Sequence, residues 1–326
     1  MRINGKQAML CFLLLLAFFI LTLFAGTKGP PVFLYLSIVP GLLVSLVTPG
    51  YMLLRLLRFE FKRLSESIIY SVGASIFLLF CAGLLSNTIL PLLGVSEPLA
   101  TLPLVLLIVI LNLCLLYVCK RRNVEPALKL KMPAVSAWAA AMYVVPPLFV
   151  IGSVMGVTGL NNGGSNFLAM TVLLGIGLYS ATLLLLKGKM PVSLFPYSLY
   201  FMTLALLLGI SLRGWLISGH DILYEYSVFQ LTQDHAHWSI DYYRDAYNSC
   251  LSITILPTML SGLMPKIPDQ LIFRILFQSI FALTPVALFL FIRKFLSSAY
   301  AFIAVLFFIS QPPLLQDFAF MTRQEL

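Results

Sequence analysis

The chain has 326 residues, 60% of them hydrophobic and only 10% charged, with a mean hydropathy of +0.98. A water-soluble domain carries about 25% charged residues, so this composition leaves too few polar groups to cover a soluble fold. Soluble enzymes, nucleic-acid binders and disulfide-stapled secreted modules are excluded. Many apolar runs reach the roughly 20 residues that cross the hydrocarbon core, and the reading is an all-α, polytopic integral membrane protein.

The first run, Ala8–Ala25, follows Arg2 and Lys6 and imitates a signal peptide. Thr27-Lys-Gly-Pro30 is a poor small-residue cleavage site, so the run reads as a retained signal-anchor helix. In chain order the predicted spans are 8–25, 32–54, 68–90, 101–118, 134–157, 167–186, 192–212, 270–292 and 298–312. Pro49-Gly50 is expected to kink or end the second span. Gly152 and Gly156 form a GxxxG pattern in the fifth, read as helix packing. The apolar stretch 250–264 is short for a span and contains Pro257, so it is expected to lie in or dip into the interface as a helix. The result is about nine spans and one interfacial helix.

Orientation follows from Lys and Arg in short loops. With the N-terminus in the cytoplasm, 15 of the 21 basic residues fall inside, and the inner and outer faces carry +12 and −3. The net charge of +9 is therefore a topology signal and calls for no nucleic-acid partner. The expected location is the plasma membrane. The five cysteines have no CxxC spacing, which argues against both a disulfide framework and a zinc site.

One outer loop is long. Residues 213–249 hold five of the twelve acids, all three histidines and two of the three tryptophans, a concentration that marks the default place for a site. Ser218 stands three residues before Asp221 as in a capping box, so a short helix is expected to begin there. Asp221 and Glu225 would then share a helical face. They read either as a catalytic or metal-binding pair or as a solvated face whose acids cap the helix. Asp234-His-Ala-His237 has no third ligand at a characteristic spacing and reads as polar loop residues. Trp215 and Trp238 belong to an interfacial aromatic belt, with stacking on a sugar ring as a second role. In the final outer segment, Arg323 reads either as a phosphate grip or as a snorkelling cation.

Gly219-His-Asp221 with Glu225, the run Leu251–Leu260, the two spans after it and Arg323-Gln-Glu325 together resemble the GT-C superfamily of integral-membrane glycosyltransferases. More narrowly, Val39-Pro-Gly41, Pro49-Gly50, Tyr70-Ser-Val-Gly73, Gly83–Asn87, Gly219–Glu225, Leu251–Pro257 and Arg323–Glu325 are similar to a mostly archaeal family of multi-spanning membrane proteins of uncharacterised activity. The resemblance implies an N-terminal region of about six spans over 1–190, followed by the start of a GT-C-like core over 191–326. It implies an extracytoplasmic active site, a polyprenyl-phosphate-linked sugar donor and an acceptor it does not specify. Carried onto this sequence, the base or metal ligand is Asp221, Glu225 is second, and Glu325 is a partner from the later loop. His220, Trp238, Arg244, Arg323 and Gln324 are the substrate-binding candidates, and a divalent cation at Asp221 is the cofactor the resemblance allows. A complete core would continue past Leu326, so the chain reads as the N-terminal portion of such an enzyme.

Two other classes stay open on sequence: a transporter or flippase of a lipid-linked substrate, and a non-catalytic membrane scaffold subunit. No chain of carboxylates runs through the span centres, which disfavours ion-coupled transport.

Overall fold

The computed structural model describes residues 5–61, 63–124, 136–219, 221–265 and 267–320. Among them the chain is helical, with no strand. The helices are α1 (Gly5–Lys28), α2 (Val32–Leu46), α3 (Thr48–Leu56), α4 (Leu64–Leu92), α5 (Thr101–Arg121), α6 (Ala137–Asn161), α7 (Phe167–Leu185), α8 (Leu194–Ser211), α9 (Asp221–His235), α10 (Ile255–Gly262), α11 (Asp269–Phe281), α12 (Leu283–Ile292), α13 (Ser298–Ile309) and α14 (Pro312–Gln316).

Among the described residues eight helical segments are long and apolar enough to cross a bilayer, with α2–α3 and α11–α12 each counting as one. The expected ninth run behaves differently. α13 has 12 residues, too few to span alone. The chain then bends by 63° into Pro312–Phe320, where two successive prolines supply no N–H to continue the helix. The bent pair gives a ninth span only if both halves cross together.

The chain forms two compact units, residues 1–132 with 224–272, and residues 133–223 with 273–326. They are discontinuous in sequence, and the chain passes from one unit to the other inside α9 and again inside α11.

In the first unit α3 lies against α4 and α5, and α1 packs on α2. The second span breaks at Val47, two residues before Pro49, as its Pro-Gly signal predicted. Polar side chains mend the break. Asn112 Nδ2 donates to the Val44 carbonyl at 2.9 Å, and Thr48 donates to Asn112 Oδ1 at 2.6 Å. In an apolar bundle every freed backbone group needs such a partner.

The run expected at the interface folds into α10, but as a buried helix. All of Ile255–Ser261 is buried, and α10 packs on α4 and α5. The close approach depends on Gly83 of α4, where a Cβ would stand 2.5 Å from Met259 Sδ and 2.7 Å from Ile255 Cγ2. A helix lying on the membrane keeps one face in lipid; α10 keeps none. Thr258 and Ser261 alternate with Leu256, Met259 and Leu260 around this short helix, and protein covers them all.

In the second unit α8 is the hub and touches α6, α7, α12, α13 and α14. Phe195 stacks on Phe289 and meets Phe302 edge-on, while Ser153 of α6 donates to the Ala205 carbonyl at 2.6 Å. The GxxxG glycines serve packing as expected: Cβ atoms at Gly152 and Gly156 would press on Val172 and Ala169 of α7. Pro146 inside α6 deprives the Met142 carbonyl of its helical donor, and the Tyr179 hydroxyl replaces that donor at 2.9 Å. Tyr179→Phe is expected to destabilise this unit by about 1 kcal/mol, the scale of an interhelical hydrogen bond in lipid. Unfolding in mixed micelles measures it, and an unchanged midpoint would remove this role for the hydroxyl.

Candidate functional site

The long loop opens at the end of α8, whose last carbonyls need partners. Two side chains supply them. Asn161 of α6 donates to the Leu212 carbonyl at 2.9 Å and accepts from the Gly214 N–H at 2.8 Å. Arg274 of α11 donates from Nε to the Ser211 carbonyl at 2.5 Å and from Nη2 to the Gly214 carbonyl at 3.2 Å. A cation at a helix C-terminus also complements the helix dipole. By sequence Arg274 is only one of six outer-side cations; it is in fact 3% exposed.

Past this clasp, Arg213–Leu216 is exposed. Helix α9 begins at Asp221 rather than just after Ser218. The delay has a local cause at Gly219, whose φ of +138° lies outside helical space. A Cβ there would stand 2.9 Å from Ile222 Cγ2 and 3.2 Å from Phe320 Cβ, so glycine alone fits this turn without strain.

Both loop carboxylates lie on α9, one turn apart, but they do not share a solvated face. Asp221 is half-buried, whereas Glu225 is 0% exposed. Ile222, Glu225, Phe229 and Thr232 are all buried and recur at three- and four-residue steps, which puts them on one stripe. Glu225 thus occupies a core position of α9, and the solvated-face reading fails for it. The spacing from Ile222 to Thr232 carried that signal; comparing the two acids only with each other concealed it.

Toward its end α9 is tied to α10 and to the first turn of α11. Gln233 Nε2 donates to Ser261 Oγ at 3.1 Å, and Ser261 donates to Asp269 Oδ1 at 2.5 Å. Burial, followed by the charges of Asp269 and Asp234, raises the Tyr226 hydroxyl above its usual pKa, so it remains protonated at neutral pH.

The His-x-His pair is organised around a tyrosine. The His235 ring stacks on Tyr242 with centroids 4.1 Å apart, and His237 Nδ1 lies 3.0 Å from the Tyr242 hydroxyl. Partial burial, followed by the neighbouring His235, holds the His237 pKa below 6.5. Protons therefore bind more readily to the unfolded loop than to the folded one. The stabilisation is complete above pH 6.5 and is lost as pH falls through the lowered value. Amide exchange across 235–249 is expected to quicken between pH 7.5 and 5 after correction for intrinsic rates, and less so in a His237→Gln variant. Equal acceleration in both proteins would contradict this.

Trp238 is held on every side. Its N–H donates to Asn87 Oδ1 at 2.7 Å, its carbonyl accepts from Asn87 Nδ2 at 2.8 Å, and its indole N–H donates to the Asn248 carbonyl at 2.8 Å. Asn248, 1% exposed, donates to the carbonyls of Ser239 and Tyr243 at 2.9 and 2.8 Å. The Leu99 N–H bonds the Ala236 carbonyl at 2.8 Å. Sequence reasoning missed Asn87 and Asn248 as anchors of the loop. An asparagine inside an apolar span was the available signal for Asn87.

Arg244 makes an exposed ion pair with Asp241 at 2.6 Å, a contact worth at most about 1 kcal/mol. Of the sequence-predicted site residues, His220, Arg323, Gln324 and Glu325 lie outside the described residues. The structure brings Asp221 and Glu225 onto one helix, while Trp238 and Arg244 belong to the folded loop that follows it. Among the described residues no three His, Cys, Asp or Glu side chains converge as a metal site. Comparison of the chain with family models, with curated proteins and with solved structures finds no match.

Proposed function

We propose that the chain is a glycosyltransferase that takes a sugar from a polyprenyl-phosphate-linked donor on the extracytoplasmic side of the membrane. The observation that supports this reading is the placement of Asp221 and the buried Glu225 on α9, in the one long loop of an otherwise apolar chain. A carboxylate is costly to bury, and one retained among apolar neighbours in a titratable loop is a functional-site candidate.

The chemistry suits an interface. A long-chain donor stays in the bilayer while its phosphosugar reaches water. The acceptor hydroxyl attacks the anomeric carbon as its proton passes to Asp221. The bond from that carbon to the phosphate oxygen breaks, and its electron pair leaves with the phosphate. Glu225 follows one turn along α9 as the second carboxylate.

The test is substitution in the full-length gene, with extracellular glycan as readout. Asp221→Asn is expected to abolish transfer, since removing a general base typically costs 10²–10⁴-fold. Glu225→Gln is expected to reduce it at normal expression. Unchanged glycan in the Asp221→Asn strain would defeat the reading. Movement of a labelled lipid across liposomes without sugar transfer would replace it with a flippase.

A further inference from the structure

The face of α11 that meets α8 is polar where a membrane span is ordinarily apolar. Arg274 and Gln278 stand four residues apart on one row of α11, and Ala282 follows at the turn into α12. Arg274 holds the carbonyls at the end of α8, and Ala282 packs with Leu204 and Leu208 of the same helix. Gln278 sits between them, 0% exposed, and among the described residues neither its Oε1 nor its Nε2 has a hydrogen-bond partner. Arg274 is 3% exposed and, among the described residues, no carboxylate pairs with it. Its hydrogen bonds use Nε and Nη2, while Nη1 donates to none of the described residues.

Arg274 serves the carbonyls at the end of α8, but Gln278 is not explained by stability. A buried amide with both ends unsatisfied costs free energy, and a buried cation without a counter-charge costs more. At Gln278 a packed leucine would serve the fold better, because it leaves no polar atom unmatched. Ionisable and polar groups kept within a span mark a functional site with a missing partner. The missing partner here must be anionic and must accept hydrogen bonds from donors one helical turn apart. We propose that Arg274 and Gln278 form a buried site for a phosphate oxyanion. The guanidinium supplies charge and planar paired donors, and the amide Nε2 supplies donors from the next turn. This deepens the transferase reading by giving a place to the donor's phosphate, and rests on that reading only for a lipid as its source.

The experiment uses the full chain in detergent micelles and follows thermal unfolding with a polyprenyl phosphate or with inorganic phosphate. The wild-type midpoint is expected to rise with added phosphate. A rise with the lipid alone assigns the site to a lipid phosphate, and a rise with inorganic phosphate as well assigns it to the free anion. Gln278→Leu is expected to raise the ligand-free midpoint, because an unmatched amide is removed, and to abolish the phosphate shift. Gln278→Glu gives Arg274 an internal counter-charge and is also expected to abolish the shift. The proposal is overturned if wild type shows no shift, if the shift survives both substitutions, or if Gln278→Leu lowers the ligand-free midpoint. Phosphate binding without sugar transfer would remove the transferase reading and leave this site; transfer by a chain that shows no phosphate shift would do the reverse.

Discussion

Asn248→Ala is expected to release the outer loop while leaving the spans folded. The substitution removes two donors that serve the Ser239 and Tyr243 carbonyls and opens a gap at a position that is 1% exposed. Two hydrogen bonds lost at part-buried acceptors cost roughly 1–3 kcal/mol together. The loss falls on the loop, because Asn248 bonds only residues within ten positions of itself. Hydrogen exchange across 236–249 should rise by roughly ten- to a hundredfold, about what that energy implies, with exchange in α4 and α5 unchanged. Ser249→Ala is the control, since its exposed hydroxyl bonds only the Ala246 carbonyl. If both variants exchange like the wild type, Asn248 does not hold the loop. If the transferase reading is right, the released loop also loses activity although no carboxylate has changed.

The largest expected loss of stability comes from Gly50→Ala. A methyl group there would collide with the Ser71 carbonyl and stand 2.5 Å from the Ser75 N–H nitrogen, both backbone atoms of α4. Neither can turn aside as a side chain would, so α3 must separate from α4 and the Gly50 N–H must give up its 2.8 Å bond to Ser75 Oγ. Overpacking of this kind costs about 3 kcal/mol or more. Gly73→Ala in α4 is the matched control, because a Cβ there meets nothing within 4 Å. In mixed-micelle unfolding the first variant should be markedly destabilised and the second neutral. Equal midpoints would show that α3 and α4 do not approach as closely as described.

Much of the helical plan was legible from local pattern. The predicted runs 68–90, 101–118 and 167–186 fall on Leu64–Leu92, Thr101–Arg121 and Phe167–Leu185. The break near Pro49-Gly50 and the packing role of Gly152 and Gly156 were legible too, because chain stiffness and side-chain size act within a few residues. The last run was overextended, since apolarity persists through Pro312 although hydrogen bonding does not. The start of α9 was misplaced by two residues, since Ser218 is a good cap by type but Gly219 takes a non-helical turn beside Phe320.

The amino-acid sequence by itself determined that this is a helical, strongly apolar chain and that its three histidines and five of its twelve acids gather in one long loop. Those properties depend on how many apolar residues run together and where charges interrupt them. Only the tertiary structure decided that Glu225 faces inward, that α10 is enclosed by protein, that Asn87 and Asn248 hold the loop, and that Arg274 and Gln278 are buried with no counter-charge among the described residues. The physical reason is that burial and hydrogen-bond satisfaction depend on which distant segments meet. A residue's neighbours along the chain constrain its helix, but its partners come from helices dozens of positions away.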